Sequence, residues 1–157
     1  MRNILRLFLI FGLLMVCRST QLLAQNAPAG ALNFQLKAAA IQAEQPFLAL
    51  ADSAGKDVAL VRVKLDGKDI WLKKTTKPVT KNNVVHWHID KASGRLIIDL
   101  SGIRKGLTAA SQLEFEVAPL NRPARQQVLI DVYQAKSTGT NAGDTPKLLT
   151  QISKKAQ

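Results

Sequence analysis

The sequence predicts an all-β protein: a single antiparallel β-sandwich that follows an N-terminal signal peptide. Apolar and polar residues alternate with period two along most of the chain after its first 24 residues. Turn dipeptides such as Asp66-Gly67 and Ser93-Gly94 separate the alternating segments. The 157 residues, 46% of them hydrophobic, suffice for one ordinary domain and exclude a multi-span membrane protein or a collagen-like fibre.

Residues 1–24 are typical of a secretory signal peptide. Arg2 precedes an uncharged apolar run over 7–16, and Arg18 closes that run. The run is about half of the roughly 20 residues that a membrane-spanning helix needs, so we expect no transmembrane span in the mature chain. We expect cleavage after Ala24, which makes the protein an exported one of the periplasm, outer membrane or cell surface.

Cys17 leaves an alternative open, because a cysteine that closes an apolar run is where bacterial lipoproteins are cut and acylated. Val16 disfavours lipidation, since that signal has a small residue before the cysteine. Cys17 is the one cysteine of the chain. With ordinary cleavage the mature protein therefore has neither a disulfide nor a thiol nucleophile.

The predicted sandwich domain covers residues 25–134, and seven or eight strands are expected in it, with a closed barrel as the alternative. Asp66-Gly67 predicts a tight hairpin, and residues 48–51 form one further candidate strand. Each strand should bury one face and present the other to water. The expected core positions are Leu32, Phe34, Leu36; Val61, Val63, Leu65; Val85, Trp87, Ile89; Leu96, Ile98, Leu100; Leu113, Phe115, Val117; and Val128, Ile130, Val132.

Helical segments are expected to be short. Residues 38–43 have helical propensity but span less than two turns, and 107–110 suffice for a single turn. Residues 135–157 form a polar linker and C-terminal tail, in which Leu148, Leu149 and Ile152 are a small apolar group. This end of the chain is a last strand, a short docking helix, or a segment that becomes ordered on a partner.

Two passages carry a resemblance to a known family. Asp66-Gly67-Lys68 joins two strands, and Gly106-Leu107-Thr108 precedes the strand 113–117. Over about residues 56–133 this pattern resembles bacterial immunoglobulin-like domains, although the Cys…Trp…Cys core signature of antibody domains is missing. The resemblance implies a role in binding, spacing or assembly and supplies no catalytic residues.

The chain is basic, with 22 Lys+Arg against 11 Asp+Glu. Outside the cytoplasm its acidic partners are lipid headgroups, lipopolysaccharide, peptidoglycan carboxylates or an acidic protein face. The candidate binding residues are Trp71, Lys73, Lys74, Lys77 and Lys81. The indole would supply contact area, and the ammonium groups would attract an anionic partner during association. Alternatively, Trp71 is a core residue and the lysines protect an edge strand. No long basic run with interleaved aromatics indicates nucleic acid.

His86 and His88 are candidate metal ligands, because residues two apart on a strand share a face. Two ligands do not complete a zinc site, and Asp90 or Asp99 would have to join them through folding. The alternative is a pair of polar-face histidines with Trp87 turned into the core. No cofactor is expected.

Glu114, Glu116 and Asp131 would share one outer face if their two strands paired, a layout that suggests acid/base chemistry on a glycan. Outward acids also simply keep strands soluble. No Gly-x-Ser-x-Gly, His-Glu-x-x-His or phosphate-binding glycine loop occurs, so we expect no enzyme. The function predicted is a noncatalytic accessory or structural subunit of a bacterial cell-envelope assembly, such as a secretion or surface-appendage complex. The alternative is a binder of anionic glycan, lipopolysaccharide or lipid.

Overall fold

A computed structural model describes residues 30–42, 44–52, 58–77, 82–120, 127–136 and 146–154. The predicted signal peptide, Cys17 and Lys81 lie outside the described residues. Within those ranges, no helix has the length and apolar character needed to cross a membrane.

The described part of the chain contains ten β-strands and two short 3-10 helices, which confirms the all-β prediction. The strands are β1 (Leu32–Lys37), β2 (Phe47–Asp52), β3 (Val58–Leu65), β4 (Lys68–Asp69), β5 (Trp71–Lys74), β6 (Val84–Ile89), β7 (Leu96–Asp99), β8 (Gln112–Pro119), β9 (Val128–Ala135) and β10 (Lys147–Lys154). The 3-10 helices are Ala38–Ala40, inside the segment with predicted helical propensity, and Ser101–Gly106, which the sequence pattern did not predict.

The strands form a four-stranded sheet of order β1-β8-β3-β4 and a six-stranded sheet of order β10-β9-β2-β7-β6-β5. All the pairs are antiparallel except β5–β6, which is parallel. Side chains from both sheets form one core, in which the rings of Phe34 and Phe115 stack with their centroids 4.8 Å apart. Most of the expected core positions are buried there; they include Leu32, Leu36, Val85, Leu96, Ile98, Leu100, Leu113, Val117, Val128, Ile130 and Val132.

Strand β3 departs from the expected alternation. We expected Val61, Val63 and Leu65 on the core face, but the register shifts between Leu60 and Arg62. A bulge of this kind inserts one residue and reverses which face the following side chains occupy. Leu60 and Val63 are therefore buried, whereas Val61 is only half-buried.

The hairpin predicted at Asp66-Gly67 is present. Asp66 and Gly67 have φ angles of 49° and 78°, the left-handed pair that matches the twist of a two-residue hairpin. The Asp66 carboxylate accepts a hydrogen bond of 2.8 Å from the backbone N–H of Gln112, at the start of β8. The turn is thereby fixed to the neighbouring strand.

The strand after the hairpin is divided between the two sheets. β4 pairs with β3 for two residues only, and the backbone N–H of Ile70 donates to the carbonyl of Val63 at 2.9 Å. Immediately afterwards β5 joins the six-stranded sheet beside β6. Ile70 is thus the crossing point between the layers.

The middle of the six-stranded sheet is buried on both faces. Ala49 and Ile97 project away from the main core but have no exposed surface, and Phe47 and Tyr133 pack against them. Strands covered on both faces have continuous apolar runs, as in residues 47–51. The expectation of one water-facing side for every strand was wrong here.

The C-terminal segment takes one of the forms left open by the sequence, a last strand. β10 pairs with β9 across a register irregularity between Leu148 and Thr150. Leu149 and Ile152 pack against the core, while Leu148 is 52% exposed. β10 therefore forms one edge of the six-stranded sheet, and β5 forms the other.

Candidate functional site

Strand β5 carries Trp71, Lys73 and Lys74, three of the five residues that the sequence singled out for binding, and we call residues 71–74 the β5 edge. Leu72 points inward and packs against the core. Because side chains alternate across a strand, Trp71 and Lys73 project from the opposite, outer face. The sequence-predicted residues are thus placed at the rim of the six-stranded sheet.

Trp71 is an exposed residue and not a core residue, with 80% of its surface accessible. The other exposed large hydrophobic side chains in the described ranges, Leu148 and Leu120, are 52% and 40% exposed. Tryptophan supplies a large apolar surface with a polar N–H and is enriched where proteins meet other molecules. Its exposure at the rim of the sheet makes the β5 edge a candidate contact surface.

The predicted lysines follow Trp71 in the sequence but do not form one cluster. Lys73 lies opposite His86 of β6 on the outer face. Lys74 points the other way, and its Nζ lies 5.1 Å from the ring centroid of Trp87, a cation–π contact. Lys77 is exposed in the following turn, where its backbone N–H donates to Thr75 Oγ1 at 3.1 Å. Three of the four predicted lysines are therefore positioned by described structure.

His86 is a buried histidine on the outer face of the sheet. It is 3% exposed, and neither of its ring nitrogens has a hydrogen-bond partner within the described structure. Burial lowers the pKa of His86 and nearby Lys73 lowers it further, while the charge of Asp99 acts in the opposite sense. The imidazole is consequently neutral at pH 7.

The metal prediction for His86 and His88 remains a prediction. The two side chains share the outer face as expected, His88 being half-buried, and Asp99 lies opposite His86. Among the described residues, no three His, Cys, Asp or Glu side chains form a group able to hold a metal ion.

The three carboxylates considered for acid/base chemistry are not brought together, because β8 and β9 belong to different sheets. Glu116 is 7% exposed, and its Oε2 lies 3.7 Å from Nε of Arg62. Asp131 accepts hydrogen bonds from the Tyr133 hydroxyl at 3.0 Å and from Gln151 Nε2 at 2.7 Å. Glu114 and Glu116 instead line a depression of about 360 Å³ on the four-stranded sheet, together with Asn33, Arg62, Lys64 and Phe115.

The sequence interpretation missed an aromatic patch beyond His86 on the same outer face. The guanidinium of Arg95 lies 5.4 Å from the ring centroid of Tyr133, and Phe47 packs on the same small cluster. Burial and the hydrogen bond to Asp131 raise the pKa of Tyr133, so its hydroxyl stays protonated as a donor. The continuous apolar run of β2 is the signal that could have revealed this patch.

Comparisons of the chain with protein-family models, with curated proteins and with solved structures each found no match.

Proposed function

We propose that this protein is a noncatalytic, exported sandwich of the immunoglobulin-like type that serves as an accessory or structural subunit of a bacterial cell-envelope assembly. It acts by binding another protein through the β5 edge. The observation that supports this most directly is the exposure of Trp71 at the rim of the sheet. The apolar leader sequence over 7–16 supports export.

The exposed indole favours a binding role over a purely protective one. Edge strands are protected from unwanted pairing by lysines, and Lys73 suits that purpose. An indole has no such protective effect, because it adds apolar surface where a protective edge needs charge. Trp71 is 80% exposed, so covering it on a partner would remove on the order of 200 Å² from water and contribute about 5 kcal/mol before the costs of association.

Positive charge around the indole supports an acidic partner surface. Lys68, Lys73 and Lys77 are exposed on the chain segment that includes the β5 edge. Charges at the rim of a contact mainly accelerate association and select among partners. Cleavage after Ala24 removes Arg2, Arg6 and Arg18 and leaves 19 basic against 11 acidic side chains, a formal net charge of +8 that acts in the same direction.

Capture of envelope proteins on the immobilised protein tests the proposal, with Trp71→Ala as the variant. The matched control is Leu148→Ala, which removes an exposed hydrophobic side chain at the opposite edge of the same sheet. We expect one envelope protein to be retained by the wild type and by Leu148→Ala and lost by Trp71→Ala. The proposal would be contradicted if the wild type, Leu148→Ala and Trp71→Ala all retained the envelope protein, or if none of them did.

A second candidate, binding of an anionic glycan or lipopolysaccharide, is favoured by the shared outer face of Trp71 and Lys73. A ring beside an ammonium group suits a sugar that carries phosphate or carboxylate. This function predicts retention on lipopolysaccharide that weakens as salt rises and disappears when Lys73, Lys74 and Lys77 are all replaced by Glu. Retention unchanged by the triple replacement would rule it out.

A further inference from the structure

We propose that the partner contributes an extended segment, with an apolar residue beside Leu72 and an acidic residue beside Lys73, which adds to the six-stranded sheet as a strand beside β5. This inference rests on the proposed function, since it specifies how the β5 edge binds a protein. The free edge of β5 supports the addition of a strand. Its inner and outer faces indicate which side chains that strand presents.

The backbone of β5 has an edge suited to pairing. In the described structure its neighbour is β6 alone, and β5 ends the order of the sheet. Alternate residues of such a strand direct their N–H and C=O groups away from the sheet, where a peptide can complete the ladder. β5 is four residues long, so the added segment needs only a short extended stretch.

The inner face of β5 sets the apolar positions of the partner. Leu72 is half-buried and contacts the core, which ends at this rim. A side chain of an added strand on that face would lie beside Leu72 and extend the core. An apolar residue is therefore favoured beside Leu72. Lys74, the other β5 residue on this face, places its ammonium group over the ring of Trp87.

The outer face sets the acidic positions. Lys73 projects there, and β5 itself has no acidic residue. The carboxylate of Asp99 on this face belongs to β7, two strands further into the sheet from β5. A partner residue beside Lys73 therefore meets positive charge, and opposite charges on neighbouring strands stabilise the pair while like charges oppose it.

A titration with three synthetic seven-residue peptides, followed by backbone amide NMR of the purified protein, tests the inference. The first peptide alternates Val and Glu, the second alternates Val and Lys, and the third is the Val/Glu peptide with proline at its central apolar position. We expect the Val/Glu peptide to shift the amide resonances of the β5 edge and to slow their hydrogen exchange. The Val/Lys peptide should bind at least fivefold more weakly. The proline peptide, which keeps the charge but loses the pairing geometry, should also bind at least fivefold more weakly.

A charge reversal provides the sharper comparison. Lys73→Glu should reverse the preference from the Val/Glu to the Val/Lys peptide. Lys147→Glu is the matched control, because this exposed lysine starts β10 at the opposite edge of the sheet. The control should retain the wild-type preference.

Three outcomes would overturn the inference: equal binding of the Val/Glu and Val/Lys peptides, undiminished binding of the proline peptide, or an unchanged preference in Lys73→Glu. Soluble lipopolysaccharide that shifts the β5 amides when no peptide does would also overturn it, in favour of the glycan function. If the peptides fail while Trp71-dependent capture of an envelope protein holds, strand addition alone is refuted and the proposed function stands.

Discussion

The turn at Gly67 gives a prediction whose cost can be worked out from backbone geometry. Gly67 has a φ of 78°, and a Cβ atom built there meets no atom within 4 Å. Gly67→Ala therefore introduces no clash, and its whole effect comes from holding an L-residue in the left-handed region. That conformation costs about 1–2 kcal/mol, which lowers the Tm of a domain of this size by roughly 3–8 °C.

The assay is reversible unfolding in urea, read by circular dichroism, with Gly106→Ala as the matched control. A Cβ at Gly106 meets Leu65 Cδ2 at 3.9 Å, which is ordinary contact, and no left-handed φ is required there. The control should be neutral or stabilising by up to about 1 kcal/mol, because alanine restricts the unfolded chain. Equal destabilisation by both substitutions would refute the argument from backbone conformation.

Three further predictions concern His86 on the outer face, Phe115 in the core and Asp66 in the hairpin. Because the pKa of His86 is lowered in the folded protein, the unfolded chain takes up the proton first. The contribution of neutral His86 to the free energy of unfolding is therefore fully present above about pH 6.5, and it is lost as the pH falls below that value. Calorimetry should show this decline in the wild type and a smaller one in His86→Phe; equal slopes would contradict it. Phe115→Ala should cost about 3–5 kcal/mol in urea unfolding, since the ring is 1% exposed and stacks on Phe34, and a loss below about 1 kcal/mol would contradict that packing. Asp66→Ala removes the acceptor for the N–H of Gln112 and should cost about 0.5–1.5 kcal/mol, whereas an unchanged denaturation midpoint would show that the bond is unimportant.

The strands were predictable where their pattern was local and regular. Leu113, Phe115 and Val117 alternate with glutamates, and one face of this strand is buried as expected. The Asp66-Gly67 hairpin was predictable for the same reason, because turn chemistry depends on adjacent residues. Local periodicity determines which side chains can share a face, and here that was sufficient.

Pairing between distant strands was not predictable from such patterns. Glu114 and Asp131 lie on strands that look suited to each other, yet these strands belong to different sheets. The residues around Leu60 and Arg62 contain no sequence signal that predicts the bulge between them. Both features depend on which strands pair with each other. That pairing is determined by the packing of the whole core and not by the local sequence.

The local sequence pattern is also insufficient to predict which residues of the candidate site are exposed. Ile70, Trp71 and Leu72 are consecutive apolar residues, so alternation cannot say which of them faces water. The change of sheet at Ile70 decides it, turning Leu72 inward and leaving Trp71 outside. The sequence therefore singled out the residues of the candidate site, but the exposure of the indole could be determined only from the fold.

The change of sheet at Ile70 has a mechanical consequence. Because this single residue separates β4 from β5, tension applied at Trp71 divides immediately between two load paths. One path runs sideways into β6, and the other runs back along the chain through the hairpin into β3. A force applied at this rim therefore strains both layers together instead of loading β5 alone.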